Sequence, residues 1–559
     1  MAIQSNFPAI KPSLNLDFAN TEALDPRITF TRASTAAYYD GVTTAKAEEN
    51  LLLRSQDYSA TWTVTNLTPV TGKTAPDTTS TATEFTATAA NAVLTQGFTA
   101  IAGSYTFSVF LRRVTGSGDI QIAADNGTWT TKVITGTWAR YDVTQTVAAG
   151  SKTAGVRVVT DTDAIEIWGA QLEQRDAVTS YTPTTTQPIT NYIPVLLTAA
   201  TNAPRFDHNP TTGESLGLLI EEQRTNLLLQ SEDLDTTWAE TRATLNLNSV
   251  VSPAGTLTAD RLIASTDNNT HFTTQTFTGT AASYTFTVYA KASGLNFVAL
   301  RLFNGTSQVG LAYYNLSTGA TGTVTAGTAT ITSVGNGWYR CSLTATLAAS
   351  ASCTADIYLA NADNTNSFAG NAFDGVALWG FQTELGAFPT SYIATVAATV
   401  TRSADAASMT GTNFSSWYRV DEGTVYFESQ SAQGTGSYPY SLFGSSTSNR
   451  IFATYDSNAK VSSGARINGT FEAFVSTPSS SAPLNTFGKG ATAYKVNDFG
   501  FSWNGAAALT DTSTTLPTVL KLDIGNNGGL ASQWLNGHIR KLSYYPLRLT
   551  DAQLQALTG

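Results

Sequence analysis

Charge is scarce in this chain of 559 residues: Asp, Glu, Lys and Arg together make up 13 %, about half the usual share of a soluble protein. The net charge is −10. A nucleic-acid partner is excluded, because phosphate binding needs clustered Lys and Arg. No apolar run approaches the 18 or so residues of a membrane span, so no membrane insertion is expected. The opening "MAIQSNFPAIKPSLNLDF" lacks a basic segment followed by an apolar one, which argues against a secretory signal and for synthesis in the cytoplasm. The three histidines, His208, His271 and His538, lie far apart and give no zinc spacing and no His-based triad. The two cysteines, Cys341 and Cys353, flank what reads as two strands and a turn. They form either a cross-strand disulfide or, as cytoplasmic synthesis favours, two buried thiols.

What fills the space is Thr, Ser, Ala, Asn and Gly, with aromatics at 10 %. That composition favours half-buried pleated surfaces. It also repeats. "ENLLLRSQDYSATW" at Glu49 returns as "TNLLLQSEDLDTTW" at Thr225. "SYTFSVFLRR" (Ser104) matches "SYTFTVYAKA" (Ser283), "WARYDVT" (Trp138) matches "WYRCSLT" (Trp338), and "IEIWGAQLEQRDAVTSY" (Ile165) matches "VALWGFQTELGAFPTSY" (Val376). The offset steps from 176 (226 − 50) to 179 (283 − 104), 200 (338 − 138) and 211 (376 − 165). Stepwise growth is the mark of loop insertions between fixed strands. Within the strands the period is two: Tyr105, Phe107 and Val109 against Thr106 and Ser108.

The expected fold is all-β. Residues 48–185 and 225–398 are two homologous β-sandwich or jelly-roll modules, and residues 399–559 form a third sandwich closed by a short helix, where Thr550 and Gln553 make a capping box. Residues 1–47 are expected to be a short docking or anchor region, of which residues 1–25, with apolar Phe7, Ile10, Leu14, Leu16 and Phe18, are ordered only by docking onto another protein or a sister chain, and residues 186–224 a connector. Acidic pairs, Glu48–Glu49 and Glu221–Glu222, precede each copy of the repeat. Their neighbours on a strand point to opposite faces, so they serve structure rather than the paired-carboxylate chemistry of glycosidases. No nucleophile elbow, phosphate loop or zinc helix is present. The chain is not expected to be an enzyme.

"LDFANTEALDPRITFTRASTAAYYDG", "APRFDHNPTTGESLGLLIEEQRTNLLLQSEDL" and "LNGHIRKLSYYPLRLTDAQLQAL" resemble a group of bacteriophage virion proteins of tail fibre, tail spike or head spike type. The resemblance implies carbohydrate-binding-module-like jelly rolls strung together with a C-terminal concanavalin A-like (laminin G-like) sandwich. It implies a place on the virion surface, other virion proteins as partners through the N-terminal region, host cell-surface polysaccharide as ligand, and a homo-oligomer, with a trimer favoured. A connector or capsid decoration with no ligand, and a polysaccharide-degrading spike, are the alternatives. Jelly rolls of this kind often hold a structural calcium, for which Asp57, Asp233, Glu173 and Glu384 are weak candidates; no other cofactor is expected. The recurring Trp62/Trp238, Trp138/Trp338 and Trp168/Trp379 read as packing residues. Aromatics that do not recur and sit among turn residues are the glycan candidates: Tyr438, Tyr440, Trp503 and Trp129.

Overall fold

The computed structural model describes residues 8–348, 350–528 and 533–559; of residues 350 and 351 only the backbone is described. It is an all-β protein of three sandwiches, two of them homologous. The short closing helix Asp551–Thr558 carries the expected capping box at Thr550 and Gln553.

The first module stacks two five-stranded antiparallel sheets. One runs in the order Thr130–Lys132, Ile120–Ala123, Gly150–Val158, Ala92–Ala100, Thr63–Thr65; the other runs Ala139–Val147, Gly103–Thr115, Ala164–Glu173, Ala82–Ala87, Leu67–Lys73. The second module repeats both orders strand for strand. Its extra length is not all loop. The strands Ala320–Ala326 and Thr328–Gly335 form an inserted pair, and each adds a sixth strand to the edge of one sheet. The cores are equivalent too: Tyr105, Phe107, Val109 and Leu111 fill one, and Tyr284, Phe286, Val288 and Ala290 the other. Cys341 and Cys353 are buried thiols on strands of opposite sheets.

The repeated Asn-Leu-Leu-Leu phrase is a polar latch. Asn50 donates to the carbonyls of Ala170 and Thr182 and accepts from the amides of Leu52 and Leu172. Asn226 makes the same four bonds, to Phe381, Ile393, Leu228 and Thr383. Both side chains are fully buried, and four bonds exhaust what an amide can make. Gln96 and Gln275 bind the backbone of Leu53 and Leu229 in the same way. The recurrence is thus of the closure of each sandwich, where irregular backbone needs side-chain partners.

Residues 8–47 and 186–224 depart from the docking and connector roles expected of them. Leu14–Asp17 pairs with the last strand, Gly537–Tyr545, in the register Leu14↔Tyr544. Thr29–Thr31 pairs with Ala406–Thr410, and Phe206–His208 and Ser215–Ile220 extend the sheet that holds Gly537–Tyr545. Leu14, Leu16, Phe18, Leu218 and Ile220 are buried in the core of the C-terminal sandwich. Leu14, Leu16 and Phe18, which suggested a foreign partner, are therefore taken up within the chain, whereas Ile10 stays exposed; Phe7, with the rest of residues 1–7, lies outside the described residues. Both modules are insertions into this third sandwich. The first is entered and left through paired ribbons, Ala36–Tyr38 with Leu197–Ala199 and Thr44–Asn50 with Ile189–Pro194. The second is joined through Arg224–Asn226 and Val400–Arg402.

A buried ionic cluster sits where these paths meet. Arg205 bridges Glu221 (2.8 Å) and Asp405 (2.5 Å), Arg32 reaches Asp405 (3.0 Å), and Arg402 reaches Glu221 (2.7 Å). All five are at most 5 % exposed. Ser391 of the second module donates to Glu221, and Trp534 of the C-terminal sandwich donates to the Asp405 carbonyl. Such a cluster holds only because each charge is both paired and hydrogen-bonded. Burial alone would raise the Glu221 carboxyl, but Arg402 and Arg205 outweigh it and hold it well below the usual carboxylate range. Glu221 thus has the structural role read for the acidic pairs. Glu49 likewise bonds Lys46 and caps the Gln174 amide.

Candidate functional site

The sequence-based glycan candidates separate sharply. Tyr440 is fully buried, its ring 5.6 Å from Phe427 in the core of the C-terminal sandwich. Trp503 is 4 % exposed, packs on Phe427 and Tyr455, and donates its indole N–H to the Ser481 carbonyl. Neither can offer a ring face to a sugar. "GSYPYS" reads as a turn because of Pro439, but it belongs to the strand Ser437–Phe443; the proline sits within a register shift between Ser437 and Tyr440, where a strand tolerates it. Trp129 is half-buried on the outward side of the first module, with the Arg157 guanidinium 4.9 Å from its ring. Among the described residues it has no aromatic companion.

The calcium candidates do not converge. Glu173 is fully buried and accepts from the amide and hydroxyl of Thr179; Glu384 does the same with Thr390. Asp57 binds Arg54 and Ser59 within its own turn, and Asp233 binds Asp235 and Thr236. Each carboxylate is filled by its local partners, and among the described residues no three His, Cys, Asp or Glu side chains group as a metal site would require.

Two of the recurring tryptophans pack between modules rather than inside them. Trp168 forms a socket with Phe110 (5.2 Å) and Tyr181 (4.9 Å), and Phe373 of the second module inserts against both Trp168 and Phe110. In the second module Trp379, Tyr289 and Tyr392 build the same socket, and Tyr39 from the first ribbon fills it. The sockets depend on a bulge: the register shifts after Trp168, where Gly169 has φ +64°, and Gly380 has φ +68°. A cleft of about 650 Å³ remains beside Phe373. Its charged groups are already engaged, Lys291 with Glu48 and Arg140 with the Thr179 carbonyl and the Ser108 hydroxyl.

One surface combines exposed rings with polar groups. On the seven-stranded sheet of the C-terminal sandwich, Tyr440, Leu442, Ile451, Ala453, Tyr455, Ala465 and Ala473 point to the core. By alternation their neighbours point away. Cross-strand register lines these up as a row: Lys521, Phe443, Arg450, Arg466, Phe471. Beside it runs a second row, Asp523, Ser441, Phe452, Gly464, Phe474. Phe471 and Phe474 sit on the edge strand Thr470–Ser476, are 45 % and 41 % exposed, and lie 4.7 Å apart. The Arg466 guanidinium is 4.0 Å from the Phe471 ring. Arg450 lies between Phe452 (4.7 Å) and Tyr438 (5.4 Å). Tyr438 thus belongs to this face, but at 7 % exposure it is a floor under Arg450 and not an open platform. The stretch "NGTFEAF" is visible as a supply of aromatics and amides, but residues three apart on a regular strand face opposite ways; the register shift opposite Ala465 and Arg466 is what brings Phe471 and Phe474 to one face.

No protein-family model matches the chain, and no curated protein does. Among solved structures, the chain is similar to the CBM40 module of the Ruminococcus gnavus IT-sialidase bound to α2,3-sialyllactose, at 15 % identity over 25 % of this chain and 84 % of that one (TM-score 0.23). It is similar to the CBM22-1–CBM22-2 tandem of Paenibacillus barcinonensis Xyn10C, at 12 % identity over 61 % of this chain and 99 % of that one (TM-score 0.20). Mouse laminin α1 domains LG4-5 match at 10 % identity over 50 % of this chain and 86 % of that one (TM-score 0.19). At these values each is a likeness of β-sandwich build and says nothing of ligand or biological role.

Proposed function

We propose that the chain is a structural bacteriophage virion protein of tail fibre or spike type, which attaches to host cell-surface glycan without cleaving it. The virion assignment rests on the three resembling phrases of its sequence. The glycan assignment rests on one observation: the paired, exposed Phe471 and Phe474 rings beside Arg466 on the outward face of the C-terminal sandwich. An aromatic face that stacks on a pyranose ring, with donors alongside, is the usual chemistry of sugar recognition. One such contact is weak, and a homo-oligomer, with a trimer favoured, raises avidity without new contacts.

The test is binding of the full chain to host envelope polysaccharide, with Phe471→Ala/Phe474→Ala as the variant. Both rings are more than 40 % exposed, so binding should fall at least tenfold while the melting temperature stays within about 2 °C. Unchanged binding would overturn the reading. Release of reducing sugar by the unmodified protein would instead make it an enzyme. A ligand-free connector is the second reading, favoured by the aromatic sockets, which hold the chain's most conspicuous ring clusters between modules. It predicts no binding by either protein.

A further inference from the structure

The same face carries an electrostatic oddity. Arg450 and Arg466 are directly opposite each other on adjacent strands, and like charges so placed repel. Arg450 is only 6 % exposed. The Nε atoms of both are buried without a hydrogen-bond partner among the described residues, as are those of Arg205 and Arg402; what sets this pair apart is the lack of a facing carboxylate. The nearby carboxylates are spoken for: Asp523 holds Lys521 at 2.9 Å, and Glu472 accepts from the Thr515 hydroxyl. The groups acting on Arg450 are burial, the Tyr438 hydroxyl beside it and the repelling Arg466. A guanidinium that is nine-tenths buried normally meets a carboxylate; Arg32, Arg205 and Arg402 in this chain all do. This pair instead stacks on rings, with Arg450 largely covered beside Phe452 and Tyr438 and Arg466 at the open end of the face beside Phe471.

We propose that Arg450 and Arg466 form an anion-recognising subsite for a carboxylate-bearing glycan, a polymer of uronic or sialic-type sugars, with the pyranose rings stacked on Phe471 and Phe474. The proposal rests on the glycan reading above and narrows it to a ligand class. Guanidinium and carboxylate match as two parallel hydrogen bonds, and a planar fork is more weakly hydrated than an ammonium, which suits a dry site. Adjacent strands are about 4.8 Å apart, so the row from Arg450 to Phe471 spans roughly 10 Å, the length of about two sugar residues. The ligand would supply the negative charge that the fold omits.

Full-length protein is titrated with four polymers: polygalacturonate, polysialic acid, dextran sulfate and neutral dextran. Binding to one or both carboxylated polymers is expected, at least tenfold tighter than to dextran, and the one preferred separates a uronic from a sialic source. Arg466→Gln should lose that preference, and Arg466→Lys should recover only part of it, because charge returns without the fork. Arg450→Gln should lose it too, with an unchanged or higher melting temperature, since it relieves the repulsion. A fall in melting temperature for Arg450→Gln together with full binding by Arg466→Gln would overturn the proposal and make the arginines packing residues. Equal binding of dextran, abolished by the double phenylalanine variant, would overturn it while leaving the glycan reading intact. Dextran sulfate bound as tightly as the carboxylated polymers would show general anion exchange and also overturn it. Binding to none of the four, and to no host polysaccharide, would remove both readings.

Discussion

Trp503 and Phe474 are both aromatic, both on strands of one sandwich, and opposite in consequence. Trp503→Ala removes a ring that Phe427 and Tyr455 enclose and leaves the Ser481 carbonyl without its donor. It should cost about 3–5 kcal/mol and lower the melting temperature measurably by calorimetry. Phe474→Ala at the exposed edge should cost under about 1 kcal/mol. The sequence could not tell the two apart. Trp503 precedes Asn504-Gly505, a turn signal that suggests exposure, and only the strand's parity shows that its ring points inward. Glu221 shows the same limit from the other side: the acidic pair is visible, but its two arginines come from residues 205 and 402, which only the fold assembles. The Glu221 carboxyl is held well below its ordinary value. Its contribution is therefore complete above the unfolded carboxylate value of about 4.3 and is lost as pH falls below it. Glu221→Gln should destabilise the protein by about 3–5 kcal/mol at pH 7, because Arg402 loses its charge partner. The difference in melting temperature between the two proteins should shrink between about pH 4 and pH 2. A constant difference would show that the cluster is not ionised as described.

At the scale of elements, the repeat was the most legible part of the chain. Strand order, the latching asparagines and the recurring tryptophans follow from matched phrases and a period of two. What the phrases concealed was position. Trp168 and Trp379 alternate like core residues, yet a bulge turns Trp168 toward the second module and Trp379 toward the entry ribbon. The bulge depends on a residue that accepts positive φ. A Cβ on Gly380 would also meet the Tyr289 ring at 2.7 Å. Gly380→Ala should thus cost more than about 1 kcal/mol, from strained backbone and a displaced ring. Intrinsic fluorescence of the unheated protein should shift, since Trp379 would lose its packing against Tyr289. The inserted strands of the second module, Ala320–Ala326 and Thr328–Gly335, are legible only as extra length; a Thr- and Gly-rich stretch does not announce that its two halves will join the edges of opposite sheets.

For the whole molecule, the order of domains along the chain is not their order in space. Strand pairing between residues hundreds of positions apart leaves no local trace, so residues 8–31 read as a tail and residues 206–220 as a link. Both are strands of the last sandwich. Deleting residues 1–25 should therefore leave a destabilised or insoluble C-terminal sandwich, because Leu14, Leu16 and Phe18 leave its core. A fragment from Asp405 to Gly559 should fail to fold, lacking the strands at 14–17, 29–31, 206–208 and 215–220. By contrast, replacing residues 46–192 with a two-residue turn should leave a folded protein. Ala45 and Ile193, which the turn would join, are antiparallel partners, whose Cα atoms lie only about 5 Å apart. Circular dichroism and gel filtration of the three products check all three outcomes.

The pairing of Leu14 with Tyr544 also sets a clock. During synthesis the first strand emerges 530 residues (544 − 14) before its partner. At about 5–20 residues per second, that interval is roughly 25–100 s. Each inserted module has its complete sequence available well before then and can close on itself while the surrounding sandwich is still a set of waiting strands. Emergence of the strand Gly537–Tyr545, rather than the folding of either module, then sets when the third sandwich is finished. A chain cut short before that strand would carry two intact modules and an unfinished third sandwich.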